Sequence, residues 1–260
     1  METTPHQPGS CVAVGERLSK RIAQMMHCSR REAEQYIEGG WVQVNGQVIE
    51  QPMIRVTDSS IVVDSKACLM DLTDVTLLLH KPAGCVAMDT NSNTIAQGQS
   101  ARQLLHRGNH ASLDASGDRV LQRHFAKLTA CIPLETAASG LVVFTQDGRI
   151  LRKLTEDAQR MEHEFRVEVQ GQVAANVLQQ LNTPSDSGTS SCVKVSINST
   201  GEASTHLRFV FKGSHPGLVA DRCDRAQLRI ISMKRLRVGR IALAQLPEGQ
   251  WRYLTDHERF

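Results

Sequence analysis

Residues 132–148, Ile-Pro-Leu-Glu-Thr-Ala-Ala-Ser-Gly-Leu-Val-Val-Phe-Thr-Gln-Asp-Gly, constrain the fold more than any other stretch of the chain. Four consecutive apolar residues, Leu141, Val142, Val143 and Phe144, follow a Ser-Gly step and end at Asp147-Gly148, a turn signal. The pattern reads as turn, apolar strand, turn. The opening turn carries one carboxylate, Glu135. An acid at the mouth of an apolar strand is a candidate reactive group, because partial desolvation alters a carboxylate's basicity and nucleophilicity. The same spacing also describes a solvated loop acid.

The 260 residues suggest one or two domains with room for a substantial core. Aromatic residues make up only 4%, which argues against a broad base-stacking platform. The net charge of +3 means that affinity for a polyanion must come from local patches. The seven cysteines are scattered and never spaced as Cys-x-x-Cys, which argues against a disulfide framework and a metal site and for a reducing compartment. No apolar run approaches the roughly 18 residues of a membrane span. A cytoplasmic protein without membrane attachment is expected.

Residues 1–14 read as a disordered lead-in. From Arg17 the periodicity is helical, with Leu18, Ile22 and Met25 or Met26 on one face. Ser29 with Glu32 forms a capping box, so a second helix is expected over 30–38, stopped by Gly39-Gly40. Asn45-Gly46 between Val42-Gln43-Val44 and Gln47-Val48-Ile49 is a two-residue hairpin turn, and a short strand is expected at 60–63. Lys20, Arg21, Arg30 and Arg31 make this unit basic, although Glu16, Glu32, Glu34 and Glu38 nearly cancel them. The charges alone fit either a nucleic-acid face or an ordinary salt-bridged helix pair.

Residues 65–74 read as a linker. A strand over 75–80 is turned by Lys81-Pro82-Ala83-Gly84, and Lys81 by itself reads as a surface lysine. Residues 89–123, rich in polar side chains, look like a variable surface insertion with a short helix around 101–106. Helices are expected over 149–160 and 173–181, and strands over 165–169, 192–197 and 205–211. Strands and helices that mix without strict alternation favour an α+β fold. Residues 203–252 hold ten Lys/Arg against three acids, an excess of seven, which fits either a polyanion partner or a solvated basic face. Trp251 reads as a core anchor.

Arg17-Leu18-Ser19-Lys20, Cys28-Ser29-Arg30-Arg31-Glu32-Ala33, Ile37-Glu38-Gly39-Gly40 and Val42-Gln43-Val44-Asn45-Gly46 together resemble the small RNA-binding domain first seen in ribosomal protein S-four. Three further motifs follow in order. They are Leu79-His80-Lys81-Pro82-Ala83-Gly84, then Pro133-Leu134-Glu135-Thr136 through Gly148, and Met233-Lys234-Arg235-Leu236-Arg237-Val238-Gly239 with Leu246-Pro247-Glu248-Gly249-Gln250-Trp251-Arg252. Over about residues 15–254 the chain resembles the bacterial ribosomal-RNA pseudouridine synthases with an N-terminal domain of that type. The resemblance implies an RNA-binding domain over 15–64 and a synthase-like domain over 75–254 with a mixed, largely antiparallel sheet and flanking helices. Residues 255–260 form a tail.

The resemblance further implies covalent catalysis on a flipped-out uridine, with no cofactor and no metal. Glu135 takes the nucleophile's position. Phe165 would stack on the base, and Lys81, Lys234, Arg235 and Arg237 would hold the substrate. Arg17, Lys20, Arg30 and Arg31 would face RNA phosphates. The expected partner is ribosomal RNA or a pre-ribosomal particle, with transfer RNA as a further candidate, and the expected state is a monomer.

Several positions depart from the family pattern. Its Gly-Arg-Leu-Asp motif is Ile132-Pro133-Leu134-Glu135 here, so the acid is a glutamate and the preceding arginine is absent. Its tyrosine is Phe165, and a basic position falls at Ala220, for which Arg222 is a possible substitute. Two functions are therefore carried forward: a pseudouridine synthase using Glu135, and a catalytically degenerate RNA-binding protein of the same fold, such as a ribosome-assembly factor. A cytosolic interaction module with an accidental basic face is the third.

Overall fold

The computed structural model describes residues 15–69, 73–87, 99–183 and 193–260. The chain divides into two compact units: residues 1–73 with 121–123, and residues 74–120 with 124–260.

The first unit is built from β1 (Glu16–Arg17), α1 (Leu18–Met25), α2 (Arg30–Glu38), β2 (Val42–Val44), β3 (Gln47–Val48), β4 (Arg55–Val56) and β5 (Ile61–Val63). The capping box forms as expected. The Ser29 hydroxyl accepts from the Glu32 N–H, and the Glu32 carboxylate accepts from the Ser29 N–H at 2.7 Å. Asn45 and Gly46 both take positive φ, 52° and 79°, as the tight β2–β3 turn demands. The core is small: Leu18, Ile22, Ala33, Ile37, Val42 and Val56. Met25 and Met26 do not join it, being 45% and 41% exposed, because α1 ends at Met25 and the chain turns away.

The second unit is organised on a nine-stranded sheet. Its strands are β6 (Thr76–Lys81), β7 (Thr129–Cys131), β8 (Ser139–Thr145), β9 (Glu162–Gln170), β10 (Lys194–Thr200), β11 (Ser204–Lys212), β12 (Ile230–Val238), β13 (Ile241–Ala242) and β14 (Trp251–Tyr253). The order is β10-β11-β9-β12-β8-β6-β14, with β13 paired to β12 and β7 to β8. Only the β12–β8 pair is parallel among the described strands.

Burial differs across the sheet, and the sequence pattern follows it. Every residue of β6 and β8 is buried, whereas β9 and β11 alternate buried and accessible positions. One face carries Leu77, Leu79, Val142, Phe144, Phe165, Val167, Leu207 and Phe209 and is covered by α4 (Ala175–Asn182) and α5 (Leu218–Arg225). The other face, with Leu78, Leu141, Val143 and Val238, is covered by α3 (Gly148–Glu156) and by Leu243 and Leu246.

Residues 89–98 of the expected insertion lie outside the described residues. Residues 99–120 are bound into the second unit. Ala101 and Leu105 enter the first core and Ala111 the second. The Asp114 carboxylate accepts from the Tyr253 N–H and pairs with His110, each at 2.8 Å. Trp251 is fully buried, as expected of an anchor, and donates from Nε1 to the His106 carbonyl. The expected helix near 101–106 is a short 3-10 turn, Ala101–Leu104.

Candidate active site

The turn before β8 is held from both sides by buried cations acting through backbone carbonyls. On one side, Arg235 of β12 donates to the carbonyls of Leu141 (2.8 Å), Pro133 (2.8 Å) and Ile132 (3.2 Å). On the other, the Lys81 ammonium at the end of β6 donates to Ala138 (2.6 Å), Cys85 (2.8 Å), Pro82 (2.9 Å) and Thr136 (3.3 Å). Both residues are essentially inaccessible, at 1% and 0% exposed. Burial pulls the Lys81 ammonium down to about 8, and burial pulls Arg235 down to about 10 against the opposing charge of Glu135. Both remain cationic at neutral pH. Carbonyl oxygens compensate for the lost hydration in each case.

Between the clamps stands Glu135, half-buried. Its Oε1 accepts from the Gly217 N–H at 2.6 Å, and Gly217 is the N-cap of α5 in left-handed backbone at φ 83°. The carboxylate thus meets the positive end of a helix. The charge of Arg235 also interacts with that of Glu135. Ile132 has φ 57°, a conformation glycine adopts freely and a β-branched residue rarely does. Arg235 holds its carbonyl there.

Glu135 opens into a cleft of about 220 Å³, counting its open mouth, lined also by Pro133, His163, Phe165, Phe211, Arg235 and residues 213–216. Phe165 is buried and lies face to face on Phe211, with ring centroids 5.5 Å apart and planes within 9°. Sequence reasoning located Glu135 and Phe165 but passed over His163, Phe211 and Gly217. The alternation of β9, continued two residues back from Phe165, puts His163 on the same buried face.

The remaining candidates lie elsewhere. Lys234 follows Met233 and precedes Arg235, so it leaves the opposite face of β12. There burial, aided by the Lys234 charge, holds His80 below its ordinary value. Arg237 donates to Glu162 (2.5 Å) and Glu164 (3.1 Å). Arg222 does not replace the missing base. It is buried and donates to the carbonyls of Leu181 and Thr183, while Ala220 is exposed on α5. The basic excess over 203–252 is only partly neutralised from outside that range: Arg208 pairs with Glu164, Arg237 with Glu162 and Glu164, and Arg252 with Glu258. In the first unit Arg17 and Arg31 are exposed, Lys20 pairs with Glu16 at 2.9 Å and Arg30 with Glu34 at 3.2 Å. Such exposed pairs hold weakly and yield readily to a phosphate.

The chain thus holds a two-helix unit with a short hairpin and a second unit whose mixed sheet carries an acid-bearing loop facing an aromatic cleft. Residues 16–62 match the family model of the S4 domain. The chain is similar to an uncharacterized RNA pseudouridine synthase of Aquifex aeolicus (strain VF5), 27% identical over 247 residues, covering 93% of this chain and 94% of the relative. It is also similar to the ribosomal large subunit pseudouridine synthase B of Bacillus subtilis (strain 168), 24% identical and covering 94% and 93%. A crystal structure of a pseudouridylate synthase shares the fold at TM-score 0.54 and 19% identity, covering 92% of this chain and 96% of that one. Over nearly its whole length the chain is thus similar to bacterial RNA pseudouridine synthases, and its residues 16–62 match the S4 domain.

Proposed function

We propose that the protein isomerises a uridine of ribosomal RNA to pseudouridine, with Glu135 as the nucleophile. The observation that carries this reading is the placement of the Glu135 carboxylate in the cleft, on a loop clamped by Lys81 and Arg235, beside the ring of Phe165. In this reading the carboxylate attacks the ribose C1′ and the C1′–N1 bond breaks. The uracil turns, and C5 then displaces the carboxylate to form the C1′–C5 bond. The C5 proton leaves to solvent and N1 takes one up. Glu135 has the charge and the fixed position that covalent catalysis needs. Lys81 and Arg235 act by fixing the loop, so that no reorganisation is required when charge moves. Phe165 stacks on the base. Lys234 and Arg237 of β12 reach RNA, and Arg17, Lys20, Arg30 and Arg31 contact phosphates. The working form in this reading is a cytoplasmic monomer that meets its RNA free or in a pre-ribosomal particle, and transfer RNA is the other substrate class.

A second reading, a catalytically degenerate RNA binder, is favoured by two specific contacts. Glu135 already accepts from the Gly217 N–H, and Phe165 already stacks on Phe211. Pseudouridine mapping of RNA from cells lacking the protein, complemented with wild type or Glu135→Ala, separates the two. A site that disappears in the deletion and returns only with wild type supports the synthase. A map that never changes supports the binder.

A further inference from the structure

Among the described residues that line the cleft, His163 carries a buried nitrogen without a hydrogen-bond partner. It is 1% exposed, it lines the cleft with Glu135 and Phe165, and among the described residues its Nε2 has no hydrogen-bond partner. The neighbouring charged groups are engaged: Arg235 with three carbonyls and Glu135 with the Gly217 N–H. Buried polar groups are normally bonded, and leaving one unmade costs about 1–3 kcal/mol. An unpartnered nitrogen in the wall of a cleft is available to a ligand.

The charges around the ring define what that contact is. Arg235 and Arg237 on β12 and His215 beyond β11 face it, Glu135 stands in the same cleft, and Phe211 packs at 6.0 Å. Burial first, then Arg235, His215 and Arg237, push the imidazole down to about 3, so it is neutral at physiological pH. A neutral imidazole is a poor phosphate ligand. It offers one N–H donor and one lone-pair acceptor on a flat ring. Uracil's polar edge presents carbonyl acceptors flanking an N3–H donor, whereas cytosine carries an amino donor at position 4 and an acceptor at N3. His163 stands two residues from Phe165 on the same face of β9, so a base stacked on Phe165 has its edge within the reach of this ring.

We propose that His163 is a specificity residue that hydrogen-bonds the polar edge of a uracil base held in the cleft beside Glu135. The inference rests on the reading of this cleft as the base site, and the test separates the two. Full-length protein labelled with ¹⁵N-histidine is titrated with uridine 5′-monophosphate and with cytidine 5′-monophosphate. Imidazole resonances are followed by NMR and affinities by calorimetry. The expected result is that the uridine nucleotide moves the His163 resonances while the ring stays neutral. Wild type should prefer it over the cytidine nucleotide, and His163→Phe should lose that preference by about tenfold, the worth of one net hydrogen bond. His163→Asn, which keeps a donor and an acceptor, should recover part of it. A wild-type preference retained in His163→Phe, unmoved His163 resonances, or binding of neither nucleotide overturns the proposal. Pseudouridine formation on large-subunit ribosomal RNA is measured on the same samples. Selective uridine binding through His163 without any pseudouridine overturns the synthase reading alone. Pseudouridine formation undiminished in His163→Phe overturns the His163 proposal alone.

Discussion

Gly140→Ala strikes the point where the clamp on Glu135 is anchored. Gly140 stands opposite Lys81 on β6 and opposite Arg235 on β12, so both cations are registered to it. Its φ is 119°, outside the range an L side chain accepts, and a Cβ there would lie 2.3 Å from the Arg235 carbonyl oxygen and 2.5 Å from the Arg235 nitrogen. Those are backbone atoms of a paired strand, so no rotamer change relieves the overlap. Overpacking costs about 1–3 kcal/mol and the strained backbone a comparable amount, giving roughly 4 kcal/mol in all. At about 2–4 °C per kcal/mol for a unit of this size, Tm should fall by about 10 °C or more. Relief requires β8 and β12 to part, which carries the carbonyls of Ile132 and Pro133 off Arg235 and shifts Glu135. A displacement of about 1 Å costs on the order of 10²-fold in rate. Gly148→Ala is the control: Gly148 opens α3 and a Cβ there meets nothing within 4 Å, so its Tm should hold or rise slightly. Differential scanning calorimetry of both variants decides the matter. A Gly140→Ala protein melting within about 2 °C of wild type would refute the clamp argument.

Three further outcomes are expected. Lys81→Met removes the donor shared by the carbonyls of Pro82, Cys85, Thr136 and Ala138 and should cost about 2–4 kcal/mol in urea unfolding at high pH, and less below about pH 8, where it also relieves the cost of burying the ammonium. His163 is depressed in the folded state, so below its unfolded value near 6.5 the unfolded chain binds a proton the folded chain does not. Wild-type stability should therefore fall as pH drops from 6.5 toward about 3, by at most about 1.4 kcal/mol per unit from this group, and His163→Phe should lose that share of the slope in pH-dependent denaturant titrations. In filter binding across salt, the triple substitution Lys20→Ala, Arg30→Ala and Arg31→Ala should reduce the slope of log K against log salt by about 2–3, one phosphate per side chain.

What the sequence made legible was local. The Ser29–Glu32 capping box and the Asn45-Gly46 turn are each complete within four residues, and α2 and the β2–β3 hairpin appear where those signals place them. The apolar run of β8 announced itself in the same way. Helix α5 was passed over because Gly217 caps it with backbone alone, although Leu218, Val219, Arg222 and Cys223 already trace a helical stripe. Charge was only partly legible, for a geometric reason. Glu162 and Glu164 on β9 and Glu258 near the end of the chain neutralise arginines counted far from them, and strand pairing, not sequence distance, brings them together. Lys81 looked like a surface lysine because two of its four acceptors, Thr136 and Ala138, lie 55 and 57 residues on. The candidate site was legible as far as its motif: Glu135 and Phe165 stand in one cleft. His163 and Phe211 belong to no motif, and only the closed sheet brings them there.

The central claim is that Glu135 still performs the chemistry. Forming the C1′–C5 bond expels the hydrogen from C5, so large-subunit ribosomal RNA transcribed with [5-³H]uridine releases tritium to water as pseudouridine forms. Purified wild-type protein should release tritium in proportion to one modified site, and Glu135→Ala, folded to the same Tm, should release none. Absence of release by wild type, or release undiminished in Glu135→Ala, would contradict the account.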